Sequence, residues 1–465
     1  MAERRDPFNA FLDLPHVPVA NAKSGPLAGL RLAVKDIFDV AGYPTGCGNP
    51  QRAAEASPAR KTAVAVQTLL DAGARFAGKT QTDELAFSLM GHNAHFPQPV
   101  NPAAPDRVTG GSSSGSAATV AGGLADIAVG SDTGGSIRAP ASFCGLVGLR
   151  TTHSAIPLDG VMPLAPSLDT FGWFARDIET YEKVAEVLLG RDSAAPHPHP
   201  YPLPVKDGER GASTSRPSSF SPSLQGEGPA GDEGHLNNSS GSTLSIERRE
   251  TPTPALRADP PHKGEGEIRA FSISVLDGLV LPNAVAEYAR IRDLAANVTG
   301  APAAAPTLSH DIGDLYWCFR KLQAHEAWAS QGSWISAKDR GLGPGVKERF
   351  EFGATITHET AEAETARRDD FRDELAGLLG SGGILILPTV PGAAPLKSAS
   401  FDATQAYREQ ALHLLCLSGL SGFPQITLPL GSVDGAPFGI SLLGPAGSDL
   451  ALIRLGRRIL EEADK

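Results

Sequence analysis

The sequence predicts an α/β fold: a single large domain with a mixed, mainly parallel central β-sheet covered by helices on both faces. Two observations lead there. Short apolar runs alternate with helical patterns along most of the chain. The runs are near-continuous in apolar residues, as in strands buried on both faces, rather than alternating apolar and polar. Taken in order, Leu30 to Val34 is expected as a buried strand. Thr62 to Ala72 is an amphipathic helix stopped by Gly73, and Ala74 to Ala77 is the strand after it. Gly115 to Gly123 is a small-residue helix, Asp126 to Val129 a strand and Asp177 to Leu189 a helix. Further on, Ala270 to Leu276 reads as a strand, Ala284 to Ala296 and Glu359 to Leu379 as helices, and Ile384 to Leu387 and Gln425 to Leu428 as buried strands.

One composition break divides this pattern. Between Val205 and Glu267, 26 of 63 residues are Gly, Ser or Pro, and only seven are large and apolar. Such a stretch cannot bury enough apolar surface to offset the entropy of ordering it. It is expected to be a disordered, low-complexity insertion without a function of its own. The whole chain, 1–465, is then one domain, with ordered parts at about 20–204 and 268–465.

Composition excludes several classes. The chain has 465 residues, 41% of them hydrophobic, and a formal net charge of −11 from 41 Lys and Arg against 52 Asp and Glu. An acidic chain is a poor match for a phosphate backbone, so no nucleic-acid partner is expected. No apolar run approaches the roughly 18 residues of a membrane span, and MAERRDPFNAFLDLPH lacks the apolar region of a secretory signal. The cytoplasm is the expected compartment. The four cysteines, Cys47, Cys144, Cys318 and Cys416, form no CxxC pair, which argues against a zinc site or a disulfide framework.

Two short motifs mislead. Gly73 to Thr80 fits the P-loop pattern GxxxxGK[ST], but a helix precedes it and its interior is an apolar strand, so Lys79 is expected as a surface lysine at a strand end. Gly111-Ser-Ser113-Ser-Gly115 fits the GxSxG elbow of α/β-hydrolases. The segment before it is short and polar for a central strand, and the histidines that reading needs, such as His153 or His413, are ordinary surface or core candidates.

The larger signal is a pair of Gly/Ser loops. Gly110-Gly-Ser112-Ser113-Ser-Gly115 opens a helix, and Gly130-Ser-Asp132-Thr-Gly134-Gly135-Ser136-Ile-Arg138 follows. Consecutive glycines let successive N–H groups point into one concavity, where they could stabilise an oxyanion formed by attack from Ser136. These stretches resemble the amidase signature family. The likeness extends to Val34-Lys35-Asp36-Ile-Phe-Asp39, Ala77 to Glu84, Phe143-Cys-Gly145, Ser167-Leu-Asp169-Thr, Leu387-Pro-Thr389 and Gly422-Phe-Pro424. The family's two serines are 24 apart, and 136 − 112 = 24.

The resemblance implies a Ser–cis-Ser–Lys triad, with Ser136 as nucleophile, Ser112 on a cis peptide as proton relay and Lys35 as base. It implies an oxyanion hole from the N–H groups of Thr133, Gly134, Gly135 and Ser136. Ser113 is then expected to add a second hydroxyl, and Asp132 and Arg138 to form a polar network that fixes the turn. An exposed lysine titrates near 10.4, so burial must bring Lys35 down before it can act as a base. No metal and no organic cofactor are implied. The implied partner is a small amide, with a homodimer left open. The chain reaches its catalytic strand near residue 30, without the longer N-terminal helical segment of many members. It looks most like short amidases related to indole-3-acetamide hydrolases, which suggests a small, aryl-substituted primary amide as substrate. A glutaminase (A) subunit of a tRNA-dependent amidotransferase and a hydrolase of carbamoyl compounds such as allophanate remain as alternatives.

Overall fold

The computed structural model describes residues 6–190 and 268–465. The expected insertion at 205–267 lies outside the described residues. The first part runs β1 (Arg31–Lys35), α1 (Pro50–Glu55), α2 (Val64–Asp71), β2 (Arg75–Thr80), α3 (Ser114–Ala121) and β3 (Ile127–Asp132). It continues α4 (Arg138–Cys144), β4 (Gly148–Arg150), β5 (Thr170–Ala175) and α5 (Ile178–Leu189). The second part runs β6 (Arg269–Ser272), α6 (Ser274–Asp277), α7 (Val285–Thr299), β7 (Ala303–Ala304), α8 (Ile312–Ser336), α9 (Val346–Thr355) and α10 (His358–Leu379). It closes with β8 (Gly383–Pro388), α11 (Phe401–Ser421), β9 (Gln425–Val433), β10 (Ala436–Leu443) and α12 (Asp449–Ala463).

The α/β class and the mixed strand directions hold, with the strands divided between two sheets. One has the order β2-β1-β3-β5, the other β4-β9-β10-β8-β6-β7. β1 runs parallel to both β2 and β3, whereas β5 returns antiparallel on β3. In the second sheet β6 is parallel to β7 and β8, and the β8–β10, β10–β9 and β9–β4 pairs are antiparallel. Local hydrophobicity sees burial of a strand, not the direction of its neighbour, so direction was not legible in the runs.

Period-two alternation in β1, β3 and β5 explains why helices lie on both faces of the first sheet. Leu32 and Val34, Ile127 and Val129, and Trp173 and Ala175 feed one core, together with Leu69 and Leu70 of α2 and Tyr181 and Val184 of α5. Ala33, Ala128 and Phe174 feed a second core, with Ala117 and Val120 of α3 and Ile137 and Ala141 beside and within α4. Small residues dominate this second face, so α3 approaches the strands closely. Lys35 shares the parity of Ala33 and so faces the start of α3.

Two expectations fail locally. The Ala270 to Leu276 run is a strand only to Ser272. It then turns into the short helix α6, and buried Leu276 packs into the core. A brief apolar run suits strand and helix alike, and pairing with β7 and β8 decided its first half. Lys79 is not a surface lysine. It is about 1% exposed and pairs with Asp36 at 2.7 Å, while donating to the Pro44 carbonyl at 2.9 Å and Thr45 Oγ1 at 3.0 Å. Removing one member of a buried pair leaves a bare charge, which costs roughly 3–5 kcal/mol. Lys79→Met is therefore expected to lower the urea unfolding midpoint strongly, as read by circular dichroism.

Candidate active site

β1 delivers Lys35 into the interior with its side chain fully buried. Nζ donates to three hydroxyls: Ser112 Oγ at 2.7 Å, Ser131 Oγ at 3.0 Å and Ser113 Oγ at 3.1 Å. Among the described residues it forms no ion pair. Burial disfavours the ammonium and lowers the pKa of Lys35 to about 7; the carboxylates of Asp83, Asp132 and Asp169 and the Cys47 thiol pull the other way. Hydroxyls can accept from a lysine without adding charge, so the amine can gain and lose its proton near neutral pH.

Ser112 follows a cis peptide, Gly111–Ser112. Its carbonyl accepts from the Asp83 N–H at 3.1 Å and the Thr82 hydroxyl at 3.0 Å, and the Gly111 N–H donates to Leu89 at 2.8 Å. Gly111 has no room for a side chain, because the Asp83 carboxylate occupies that space. Asp83 in turn accepts the Gly91 N–H at 3.0 Å, and burial raises its pKa. The 82–91 loop thus holds the first serine loop in place.

The second loop is organised by one carboxylate. Asp132, at the end of β3, accepts the Gly135 N–H at 2.7 Å on Oδ1 and the Ile137 N–H at 3.2 Å on Oδ2. Arg138 grips it with both Nε and Nη2, at 3.0 and 2.9 Å, and Arg150 Nη1 adds a contact at 3.2 Å. Arg150 also donates to the Asp132 carbonyl. Burial alone would raise the Asp132 pKa; the guanidinium of Arg138, then that of Arg150, outweighs it and holds the carboxyl well below the usual range. Arg138 reaches on to the Leu415 carbonyl at 3.0 Å and Gln425 Oε1 at 2.6 Å, which ties the turn to α11 and β9. Thr133 Oγ1 donates to buried Asp169 at 2.5 Å.

The turn from Thr133 to Ser136 brings Ser136 to a narrow crevice, 4% exposed, lined also by Phe87, Ser88, Gly134, Gln323 and Arg408. Gly135 sits at φ +117°, a conformation that side-chain-bearing residues rarely adopt. One expected donor drops out here. The Gly135 N–H is spent inside the turn on Asp132, so it cannot also face an oxyanion. Among the described residues the amides of Thr133, Gly134 and Ser136 have no such internal acceptor.

The histidines of the hydrolase reading do not reach Ser113. His413 stacks on Tyr316 at 4.1 Å, and His153 Nε2 meets the Pro166 carbonyl at 3.0 Å. The hydroxyl of Ser113 donates instead to the Ser131 carbonyl at 3.3 Å. Three partners escaped the sequence reading: Ser131 on Lys35, Arg150 on Asp132, and Asp83 under the first loop. Ser131 had a signal, since β1 and β3 pair in parallel with Val34 opposite Val129, which puts the end of β3 beside Lys35. Among the described residues no group of three or more His, Cys, Asp or Glu could hold a metal, and no helix is long and apolar enough to cross a membrane.

Fold and sequence together place the protein among the amidohydrolases. The family described as Amidase matches residues 16–219 and 308–453, and the chain belongs to that family. It is 35% identical to Amidase 1 of Arabidopsis thaliana, over 98% of each chain. It is also 31% identical to the chloroplastic outer envelope protein 64 of the same plant, over 97% of this chain and 70% of that one. A solved structure, described as a crystal structure of amidase, superposes with a TM-score of 0.71 at 25% identity, over 94% of this chain and 85% of the other.

Replacing Asp132 strands two buried guanidinium groups at once. Asp132→Ala is expected to lose at least roughly 3–5 kcal/mol of stability, measured by denaturant unfolding.

Proposed function

We propose that this amidase hydrolyses a small primary carboxamide to the acid and ammonia through an acyl-enzyme on Ser136. The observation that carries the reading is Lys35: fully buried, free of any ion pair among the described residues, and bonded to three hydroxyls. Such a lysine can exchange protons near neutral pH, which a serine nucleophile requires of its base.

The steps follow from that assignment. The Ser136 oxygen attacks the amide carbonyl carbon, and its proton passes to Ser112 as the Ser112 proton passes to Lys35. Negative charge gathers on the carbonyl oxygen, where the amides of Thr133, Gly134 and Ser136 stabilise it. The C–N bond then breaks, and the leaving nitrogen takes the proton back along the same path as it departs as ammonia. Water attacks the resulting ester with the same base, releases the acid and restores Ser136. Ser113 and Ser131 hold the Lys35 amine against the relay, and Asp132 with Arg138 holds the turn. No cofactor takes part.

Ser136→Ala and Lys35→Ala are each expected to lower kcat by several orders of magnitude while far-ultraviolet circular dichroism stays unchanged, since members of a coupled catalytic set act as a unit. Ammonia release from simple amides is the assay; a fully active Ser136→Ala would refute the assignment.

The pH profile gives an independent check. Lys35 works as the neutral amine, so kcat/KM is expected to rise with pH through about 7 along a single-proton limb and then level off. Lys35→Arg is expected to be inactive throughout, because a guanidinium does not give up its proton in this range.

A further inference from the structure

The oxyanion formed by attack from Ser136 lacks one of its expected donors, because the Gly135 N–H is held by Asp132. A side-chain amide stands beside the gap. Gln323, on α8, is 6% exposed and lines the same crevice as Ser136. Among the described residues its carboxamide makes no hydrogen bond. Its Nε2 lies against Gly134: a Cβ built on that glycine would sit 3.3 Å from the nitrogen. The Gly134 amide is one of the backbone donors that remain, so the side-chain N–H and this N–H border one small space.

The fold fixes this placement. Phe319, one helical turn before Gln323, is fully buried. Its ring fills the rest of the space beside Gly134, 2.6 Å from the same Cβ position, and also meets Gly419 of α11, where a Cβ would come within 3.1 Å of it. A helix of 25 residues, seated by one ring between two glycines, therefore holds a carboxamide against the nucleophile turn. A side chain at Gly134 would displace both Phe319 and Gln323.

A buried carboxamide without partners is costly. Gln331, about two turns further along α8, avoids that cost: it donates to the Pro163 carbonyl at 2.7 Å and accepts from Arg52 at 2.8 Å. At the crevice no side chain answers Gln323 in this way. Ala86, Phe87, Leu89 and Leu412 are apolar, Arg408 can only donate, and the Ser88 hydroxyl is bonded to Asp83. The crevice thus has donors and lacks an oxygen to receive them. The carbonyl oxygen of a bound amide is such an oxygen. When Ser136 Oγ bonds to the carbonyl carbon, the C=O pair moves onto that oxygen, and a fixed N–H donates to it more strongly as the charge grows.

We propose that Gln323 Nε2 is a side-chain donor of the oxyanion hole, in the place vacated by the Gly135 N–H. This rests on Ser136 being the nucleophile.

Ammonia release from butyramide by the full chain gives the first readout. Losing one side-chain donor to an oxyanion costs about 10²–10³ in kcat. Gln323→Met, unbranched and without a donor, is expected to lower kcat about 100-fold or more while KM stays within about threefold, as for a contact made only in the transition state. The second readout is the adduct with 1,1,1-trifluoropentan-2-one. Its carbonyl carbon bonds to Ser136 Oγ, the serine proton moves to the relay, and its oxygen becomes a hemiketal oxyanion whose protonation is read from the 19F shift. Removing a donor should raise the midpoint of that titration by about one pH unit or more, whereas a packing role would leave it in place. A kcat within about threefold of wild type, or a lowered kcat with an unmoved midpoint, overturns the proposal while Ser136→Ala stays inactive. A fully active Ser136→Ala, or no adduct on Ser136, sinks the hydrolytic reading and this proposal with it. If the wild-type protein forms the adduct without turning over butyramide, the midpoint alone decides. Should Gln323→Met fail to fold, Gln323→Asn, which draws the nitrogen back by one methylene, is judged by the same two readouts.

Discussion

The Asp132 carboxylate, closed off by Arg138 and Arg150, is the interaction on which the site depends. It sits at the end of β3 and takes the N–H of Gly135 within the Gly134-Gly135-Ser136 turn and that of Ile137 just after it. The same ion cluster reaches α11 through Leu415, β9 through Gln425, and the Leu168 carbonyl through Arg150. Three buried charges are tolerable only when they pair with one another, and that demand makes the geometry stiff. A serine on a glycine turn would otherwise be the most mobile part of the chain.

The protein treats buried charges in two ways. Where charge is architectural it is paired, as in Asp132 with its two arginines and Lys79 with Asp36. Where charge faces the crevice or the serine loops, the counter-ion is withheld. Lys35 meets hydroxyls and, among the described residues, forms no ion pair. The contrast has a physical logic. A paired lysine would hold its proton too tightly to serve as a base, whereas desolvation with neutral acceptors leaves it ready to give and take one.

Much of the fold was legible in the chain. Apolar runs located β1, β3, β8 and β9, and helical patterning located α5, whose N-cap Asp177 accepts the Thr180 N–H at 2.7 Å. The two Gly/Ser loops and the spacing of their serines marked the candidate site. What stayed hidden was nonlocal. The split into two mixed sheets depends on which strands meet. The burial of Lys79 depends on Asp36 arriving from the neighbouring strand's end. The loss of the Gly135 amide from the oxyanion set depends on where the Asp132 side chain turns.

The sequence by itself determined the alternation of strands and helices, the residues of the two serine loops, and Lys35 at the end of an apolar strand, because these are local patterns of side-chain chemistry. Only the tertiary structure decided that the Lys35 amine is bonded to three hydroxyls and, among the described residues, forms no ion pair. Only it placed Arg408, 272 positions after Ser136 in the chain, on the wall of its crevice. Burial and the absence of a partner are properties of a packed neighbourhood, and no single stretch of chain contains one.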